Sequence, residues 1–180
     1  KKVIPFYNLD KKITGESINS KINKIIKHIK YQNIDNIFIS APENVAWLLN
    51  LRGEDNPNSP IPNCKLILTK QKKIFFFSCP KKIFKMKKLK KYKILKFSNY
   101  QDFEKIIENL GGINFCIDRS TCSVSNENVI KSFFKIKSNV DPIYKFKSLK
   151  NKIEIKNMID THVSDGAALT KFIYWIKEIN

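Results

Sequence analysis

The sequence predicts an α/β domain, in which a mixed sheet carries helices on both faces. Short apolar segments rich in β-branched and aromatic residues alternate with segments whose apolar residues recur at helical spacing. Two apolar runs, residues 66–69 and 74–78, are separated by a short lysine-rich segment and predict an antiparallel hairpin within the sheet. The composition is 42% hydrophobic and 12% aromatic, which is enough apolar material for a buried core.

The first forty residues predict a lead-in, a helix and a strand. Residues 1–15 form the lead-in, with Pro5 and Gly15 as helix breakers. Residues 34–39 form a short segment rich in the β-branched residue isoleucine and predict a strand. Between them, isoleucines recur at helical spacing from Ile18 onward and predict an amphipathic helix. They are Ile22, Ile25, Ile26 and Ile29.

Residues 40–55 combine several residue types that are rare in this chain. Pro42 predicts a helix start, because the first turn of a helix does not need the amide proton that proline lacks. The predicted helix carries Trp47, one of two tryptophans, and ends near Arg52 and Gly53. Three prolines between residues 57 and 62 then predict an irregular loop.

The alternation of strands and helices continues to about residue 143. Pro80 is predicted to begin a lysine-rich helix that runs to about Lys91 and buries Ile83, Phe84 and Leu89. The later predicted elements are a strand at 93–97, a helix at 100–110, a strand at 113–118, a helix at 123–134 and an irregular or edge strand at 136–143 that Pro142 breaks.

A different periodicity begins after Ser148 and predicts one long helix with a packing seam. The seam positions are spaced alternately four and three apart: Ile155, Ile159, His162, Gly166, Leu169, Ile173 and Ile176. We therefore predict a domain boundary near residues 144–148. Residues 1–147 form one domain and residues 148–180 begin the next, so the chain is expected to be a piece of a longer protein.

The net charge of +18 comes from 34 basic and 16 acidic residues. Such a positive net charge is typical of proteins that bind nucleic acid. However, the basic residues are lysines except for Arg52 and Arg119, whereas base and phosphate recognition favours arginine. A hydrated lysine surface is the preferred interpretation, and a basic nucleic-acid-binding module is kept as an alternative.

Cysteine spacing and hydropathy favour a cytoplasmic protein. Four cysteines form no CxxC pair and mostly lie in or beside apolar runs, which favours buried free thiols over disulfides or a zinc site. No apolar run approaches the roughly 18 residues that span a bilayer, and no secretory leader is recognised. A membrane partner is therefore not expected.

No catalytic or metal-binding group emerges from the residue pattern. Ser164, His162 and Asp165 lie within one helical turn and cannot point at a common reacting atom as a triad must. His162 and Asp165 alone have i, i+3 spacing, but a metal site needs further ligands. The side chains of the adjacent Glu54 and Asp55 point in different directions and so are not expected to chelate a metal ion. They are interpreted first as solvated loop acids and second as an interdomain contact to Arg52.

Two motifs, in order, give the chain a family resemblance. The first is Ala46-Trp47-Leu48-Leu49-Asn50-Leu51-Arg52-Gly53, followed by Asp55, Asn58 and Pro60. The second consists of Lys150-Asn151, Glu154, Met158, His162, Asp165-Gly166, Ala168-Leu169 and Trp175. Together they resemble the middle domain and the start of the catalytic domain of the three-domain Xaa-Pro aminopeptidases, the creatinase/prolidase-like metallopeptidases.

The resemblance implies a creatinase-like, ribonuclease H-like α/β domain followed by the first helix of a pita-bread catalytic domain. The family releases an N-terminal residue that precedes proline, using two divalent metal ions, commonly manganese. A cytoplasmic homodimer acting on peptides with proline at the second position is thus expected for the parent. Its metal ligands would lie beyond these residues, so this fragment is expected to be non-catalytic, with no catalytic, cofactor or metal residue of its own.

The motif residues are accordingly expected to have structural or interdomain roles. Trp47 would anchor its helix on the sheet, Gly53 would permit the turn, and Arg52 would donate a bidentate bond to a carboxylate of a neighbouring domain or subunit. The other such motif residues are Asn50, Asp55, His162 and Asp165. A non-catalytic relative that keeps the fold as an interaction module is a further alternative.

Overall fold

The computed structural model describes residues 4–179, so the first three residues of the predicted lead-in lie outside the described range. Its centre is a mixed sheet of six strands with the order β6-β5-β4-β2-β7-β8, and β1 and β3 form a separate two-stranded sheet. The strands are β1 (Tyr7–Asn8), β2 (Asn36–Ile39), β3 (Leu51–Arg52), β4 (Lys65–Thr69), β5 (Ile74–Phe77), β6 (Leu95–Ser98), β7 (Asn114–Ile117) and β8 (Lys135–Ser138).

The helices connect and cover these strands. They are α1 (Lys11–Thr14), α2 (Ile18–Tyr31), α3 (Pro42–Leu48), α4 (Pro80–Lys87), α5 (Phe103–Glu108), α6 (Val124–Lys131), α7 (Pro142–Ser148) and α8 (Lys152–Ile179). Short 3₁₀ turns at Lys90–Tyr92 and Tyr100–Asp102 precede β6 and α5. The predicted alternation of strands and helices is confirmed.

Strand β2 lies inside the sheet and joins its two halves. It pairs antiparallel with β4, where Phe38 lies opposite Ile67, and parallel with β7, where Ile37 lies opposite Cys116. The predicted hairpin is β4 with β5. All four residues of β2 are buried, as expected for a strand whose two faces are both covered.

Helices cover both faces of the sheet. Because side chains alternate along a strand, Ile37 and Ile39 of β2 join one hydrophobic cluster and Phe38 joins the other. The first cluster takes side chains from α2, α3, α4 and α7, whereas the second takes side chains from α5 and α6. The predicted fold class is therefore confirmed.

The turn after α3 differs from the sequence prediction. The helix ends at Leu48 rather than near Arg52, because Asn50 adopts a left-handed backbone conformation with φ 50°. Asparagine tolerates this conformation better than most residues. The chain then reverses, and Leu51–Arg52 pair antiparallel with Tyr7–Asn8 of the predicted lead-in.

The buried face of α4 also differs from the prediction. Ile83 and Met86 are its buried residues, whereas Phe84 is 46% and Leu89 38% exposed. The helix ends at Lys87, so Leu89 lies beyond it. A spacing of three brings Ile83 and Met86 onto one face, while Phe84, adjacent to Ile83, points away from the sheet.

Pro142 begins a helix, which the sequence analysis missed. The edge strand β8 ends at Ser138, and Asp141 caps α7 by accepting a hydrogen bond from the Ile143 amide at 2.9 Å. A proline at the first helical position is favourable for the reason that applied at Pro42. The predicted strand at 136–143 is wrong in extent, because β8 ends at Ser138 and Pro142 therefore does not break it.

Cysteine burial agrees only in part with the prediction of buried free thiols. All four cysteines are free, and Cys64 and Cys116 are buried. Cys79 is exposed and Cys122 is partly exposed, so for these two the expected burial is wrong. Between residues 4 and 179, no helix has the length and apolar character needed to cross a bilayer.

Candidate functional site

The motif residues meet at a cavity of about 430 Å³ between α3, β3 and the first turns of α8. Trp47, Asn50 and Arg52 all line it, together with Lys21 from α2 and Glu154 from α8. The sequence places these residues far apart, and the fold brings them together. Apolar atoms provide most of its walls, with Ile13, Pro60 and Met158 among the lining residues.

Helix α3 directs Trp47 toward this cavity. Its opposite face buries Val45 and Leu48 completely in the first hydrophobic cluster. Trp47 is partly buried and packs against the same cluster. Its expected anchoring role stays a prediction. The indole Nε1 atom is buried but has no hydrogen-bond acceptor among residues 4–179.

Asn50 and Lys21 form a buried polar pair in the wall of the cavity. The Lys21 ammonium donates to the Asn50 side-chain oxygen at 2.7 Å and to the Trp47 carbonyl at 2.9 Å. It also lies 4.0 Å from the centre of the Trp47 ring, within the range of a cation–π contact. The Asn50 amide donates to the Glu16 carbonyl at 2.9 Å.

Burial lowers the pKa of Lys21 to about 8, since the charged form loses its hydration, although Glu154 and Glu16 act in the opposite direction. Only 1% of the residue is exposed. Lys21 was not predicted as a site residue, because the chain contains many lysines. A signal was available, because Lys21 lies four residues before Ile25 on the apolar stripe of α2.

Arg52 is partly buried, and backbone carbonyls accept its hydrogen bonds. Its Nη1 donates to the Leu51 carbonyl at 2.7 Å and to the Ala46 carbonyl at 3.4 Å. Burial lowers the pKa of the guanidinium. Within the part of the chain that the structure describes, no carboxylate forms an ion pair with Arg52. The expected carboxylate partner in a neighbouring domain or subunit stays a prediction.

Gly53 is required by close packing rather than by a left-handed backbone. A Cβ atom at this position would lie 2.8 Å from Cδ1 of Phe6 and 2.9 Å from the Cα of Pro62. Its φ is not in the positive region that only glycine adopts readily. The physical reason for glycine therefore differs from the expected turn conformation.

Asp55 is not a solvated loop acid and does not contact Arg52. Its carboxylate forms an ion pair with Lys82 of α4 and accepts a hydrogen bond from the Asn63 amide at 2.6 Å. Only 13% of its side chain is exposed. Asp55 thus ties the proline-rich loop to α4, a role that the sequence analysis did not predict.

The first turns of α8 are held against α1 by two asparagines. Asn151 donates to the Thr14 carbonyl at 2.9 Å, and Asn157 donates to the Ile13 carbonyl at 3.0 Å. Gly15 has a φ of 71°, and a Cβ there would lie 2.2 Å from the Asn151 side-chain oxygen. These contacts close one end of the cavity.

His162 and Asp165 lie away from the cavity on the exposed part of α8. Among residues 4–179, no three histidine, cysteine or acidic side chains are grouped closely enough to hold a metal ion. The described side chains therefore do not fit a metal centre, and no chemical step through a metal can be assigned to them.

Comparison with known proteins gives the domain its family. The model of the creatinase/prolidase N-terminal domain matches residues 2–154, most of the chain. The chain belongs to this family. The first motif and most of the residues that line the cavity lie within the matched range.

Relatives of this creatinase/prolidase N-terminal domain are named as aminopeptidases. Xaa-Pro aminopeptidase 1 of Dictyostelium discoideum is 30% identical over 172 residues, which are 94% of this chain and 27% of the relative. Aminopeptidase P2 of Arabidopsis thaliana is 27% identical over 199 residues, covering 94% of this chain and 28% of the relative. The chain therefore spans between a quarter and a third of the length of these relatives.

The fold is also that of a solved structure. The chain aligns with an X-prolyl aminopeptidase from Caenorhabditis elegans with a TM-score of 0.82 and 21% identity, over 97% of this chain and 29% of that one. That protein is described as a cytosolic enzyme with a di-nuclear active site. At this identity the likeness establishes the fold.

Proposed function

We propose that the chain is the part of an Xaa-Pro aminopeptidase that precedes its catalytic residues. The observation that carries this proposal is the family match over residues 2–154, together with relatives of that name that align over more than nine tenths of the chain. The parent enzyme would release an N-terminal residue from peptides with proline at the second position. It would act as a cytoplasmic homodimer.

The catalytic metal ions belong, in this proposal, to the remainder of the parent. Residues of that remainder would hold two divalent ions, manganese by the family resemblance, which would supply Lewis-acid chemistry for hydrolysis of the peptide bond. The di-nuclear site of the Caenorhabditis elegans relative supports the number of ions. The described residues would be non-catalytic and would serve domain packing, framing of the substrate cleft or oligomerisation.

Helix α8 would begin the catalytic pita-bread domain, and the boundary would fall between residues 147 and 148. Two observations support this division. The family match ends at residue 154, near the start of α8. None of the described residues of α8 is buried, although its seam carries large apolar side chains such as Ile159 and Ile173. Such a seam is typical of a helix that packs against further structure.

The test compares this chain with a longer form of the parent that includes its metal ligands. Both are given manganese and an Xaa-Pro-Pro peptide, and release of the N-terminal residue is followed. We expect turnover by the longer form and none by residues 1–180. Turnover by the short chain would contradict the non-catalytic assignment, and inactivity of a longer form with an intact ligand set would contradict the peptidase assignment.

The nucleic-acid alternative has less support from the structure. Several lysines near α4 lie over aromatic rings of the domain itself, including Lys82 over Phe6 and Lys87 over Phe97. Salt-dependent binding of a DNA or RNA oligonucleotide would favour this alternative, since counterion release makes such binding weaken steeply with salt. The non-catalytic relative is distinguished by the parent sequence, which would then lack the five metal ligands that the family resemblance implies, two Asp, one His and two Glu.

A further inference from the structure

The cavity beside α8 gathers positive charge that no described carboxylate pairs with directly. Arg52 is partly buried, and within residues 4–179 its hydrogen bonds go to the carbonyls of Ala46 and Leu51. Lys21 is 1% exposed, and its hydrogen bonds to the described part of the chain go to neutral oxygens, those of Trp47 and Asn50. A buried cation without a counter-ion is unfavourable, because the low dielectric of the interior does not replace its hydration.

The two carboxylates that line the cavity accept hydrogen bonds from groups other than Arg52 and Lys21. Glu154 accepts a hydrogen bond at 2.9 Å from the Asn151 amide at the start of α8. Glu43 accepts a hydrogen bond at 2.8 Å from the Tyr144 hydroxyl. Neither forms an ion pair with Arg52 or Lys21 within the described range. Lys147 and Lys150 also line the cavity, so cations outnumber carboxylates in its described walls.

The neutral groups of the cavity offer a ligand one hydrogen-bond donor and several apolar contacts. The Trp47 Nε1 atom is a hydrogen-bond donor without an acceptor among residues 4–179. Ile13, Pro60 and Met158 provide apolar walls. A half-buried guanidinium matches the planar, two-oxygen geometry of a carboxylate. A phosphate dianion fits less well, because its second charge would lie near Glu43 and Glu154.

We propose that this cavity binds a carboxylate attached to an apolar body of amino-acid size. Arg52 would be the main charged contact, and Lys21 would add a second, buried positive charge in the wall. The volume of about 430 Å³ lies in the range typical of small-molecule sites, roughly 300–1,000 Å³. The carboxylate has two possible sources: a free small molecule, or an Asp or Glu side chain from the rest of the parent. The chemistry of recognition is the same for both.

The first experiment titrates the 180-residue chain with N-acetyl-L-leucine at constant ionic strength. N-acetyl-L-leucinamide, which has the same apolar body without the charge, is the matched probe. Binding is read from the indole N–H signals in ¹H–¹⁵N spectra. Trp175 serves as an internal reference, because it is 58% exposed on α8 and does not line the cavity.

We expect a saturable shift of the Trp47 signal with the acid, and binding of the amide at least about tenfold weaker, a difference of about 1.4 kcal/mol. Equal binding of the acid and the amide would overturn the proposal, as would the absence of a saturable shift with either probe. Both outcomes are measured on the unaltered chain, so they do not depend on whether a variant folds.

The second experiment uses the two arginines as matched variants. Arg52→Met should weaken binding of N-acetyl-L-leucine about tenfold or more, because the charge-assisted bond is lost. Arg119→Met should leave it unchanged, since Arg119 pairs with Glu127 on the surface at 2.8 Å. If both variants weaken binding of N-acetyl-L-leucine equally, the loss of affinity follows from the lower net charge of the protein. That result would contradict a specific site at Arg52.

The source of the carboxylate is tested with the longer form of the parent, and this part alone rests on the proposed function. If a parent side chain occupies the cavity, N-acetyl-L-leucine binds the 180-residue chain but not the longer protein. If the site is open to free ligands, the compound binds both. Binding to neither form would refute the proposal while leaving the peptidase assignment unaffected.

Discussion

Replacing Gly53 by alanine tests whether this motif glycine is required by packing. The added Cβ would lie 2.8 Å from the Phe6 ring and 2.9 Å from the Pro62 backbone, closer than real Cβ contacts. Phe6 is 2% exposed and cannot swing into solvent. We expect Gly53→Ala to lower the free energy of unfolding by about 1–3 kcal/mol, the usual cost of overpacking a core.

The matched control is Gly111→Ala, because a Cβ at Gly111 would meet nothing within 4 Å and its φ is not positive. That variant should gain about 0.4–1 kcal/mol from the lower entropy of its unfolded chain. Urea unfolding followed by circular dichroism measures both. With a slope of about 1–3 kcal/mol per molar urea, Gly53→Ala should lower the midpoint by about 1 M.

A double variant sharpens the test. Phe6→Leu removes the ring atoms that Cβ would meet, so the two changes together should cost less than the sum of their separate costs, by about 1 kcal/mol. If Gly53→Ala is as stable as Gly111→Ala, the packing explanation is wrong. If its cost adds fully to that of Phe6→Leu, Phe6 is not the residue that excludes a side chain, and the Pro62 backbone is the remaining contact.

Three further predictions concern titration and helix stability. Lys21 is charged in the unfolded chain but loses its proton above about pH 8 in the fold, so its own contribution to the free energy of unfolding should rise between about pH 8 and pH 10, where the raised pKa values of Cys64, Cys116 and Cys122 act in the opposite direction. Over this range the free energy of unfolding of Lys21→Met should therefore fall relative to that of the unaltered chain, whereas that of Lys27→Met should follow the unaltered chain. Asp35 accepts bonds from Lys70 and two backbone amides, which lower its pKa to about 2; stability should therefore fall as the solution is acidified from about pH 4 toward pH 2, and a pH series of urea melts of Asp35→Asn should show a smaller fall, to which Glu16 and Asp118 still contribute. Gly166 lies in α8 with no atom near its missing Cβ, so Gly166→Ala should stabilise the helix by up to about 1 kcal/mol in thermal melts monitored at 222 nm; an unchanged or lower melting temperature would contradict this.

The sequence predicted those helices and strands whose hydrophobic pattern is clear within the segment itself. The isoleucine repeat located α2, the paired apolar runs located the β4–β5 hairpin, and the seam after Ser148 located α8. The errors fall where a distant contact decides the local conformation. The end of α3 depends on Asn50, whose buried side chain bonds to Lys21 and Glu16 and so stabilises a left-handed turn that helical periodicity cannot reveal.

The candidate site was predicted in part. Trp47, Asn50 and Arg52 were selected as a motif, and they do meet at one cavity. Lys21 was missed, since a lysine on an apolar stripe is distinguished from its many neighbours only when its buried partners are known. The pairing of Asp55 with Lys82 was missed for the same reason, because a loop acid and a helix lysine 27 residues apart give no sequence signal.

By itself, the sequence determined the fold class, the succession of strands and helices and the family resemblance, because hydrophobic periodicity and short motifs are local properties of the chain. Only the tertiary structure decided what surrounds each motif residue. It showed that Phe6 and Pro62 leave no room for a side chain at Gly53, that Asp55 pairs with Lys82, and that Arg52 and Lys21 line one cavity without an ion pair to a carboxylate among residues 4–179. Burial and charge pairing depend on residues far apart in the chain, and these are the properties that give the cavity its affinity for an acid.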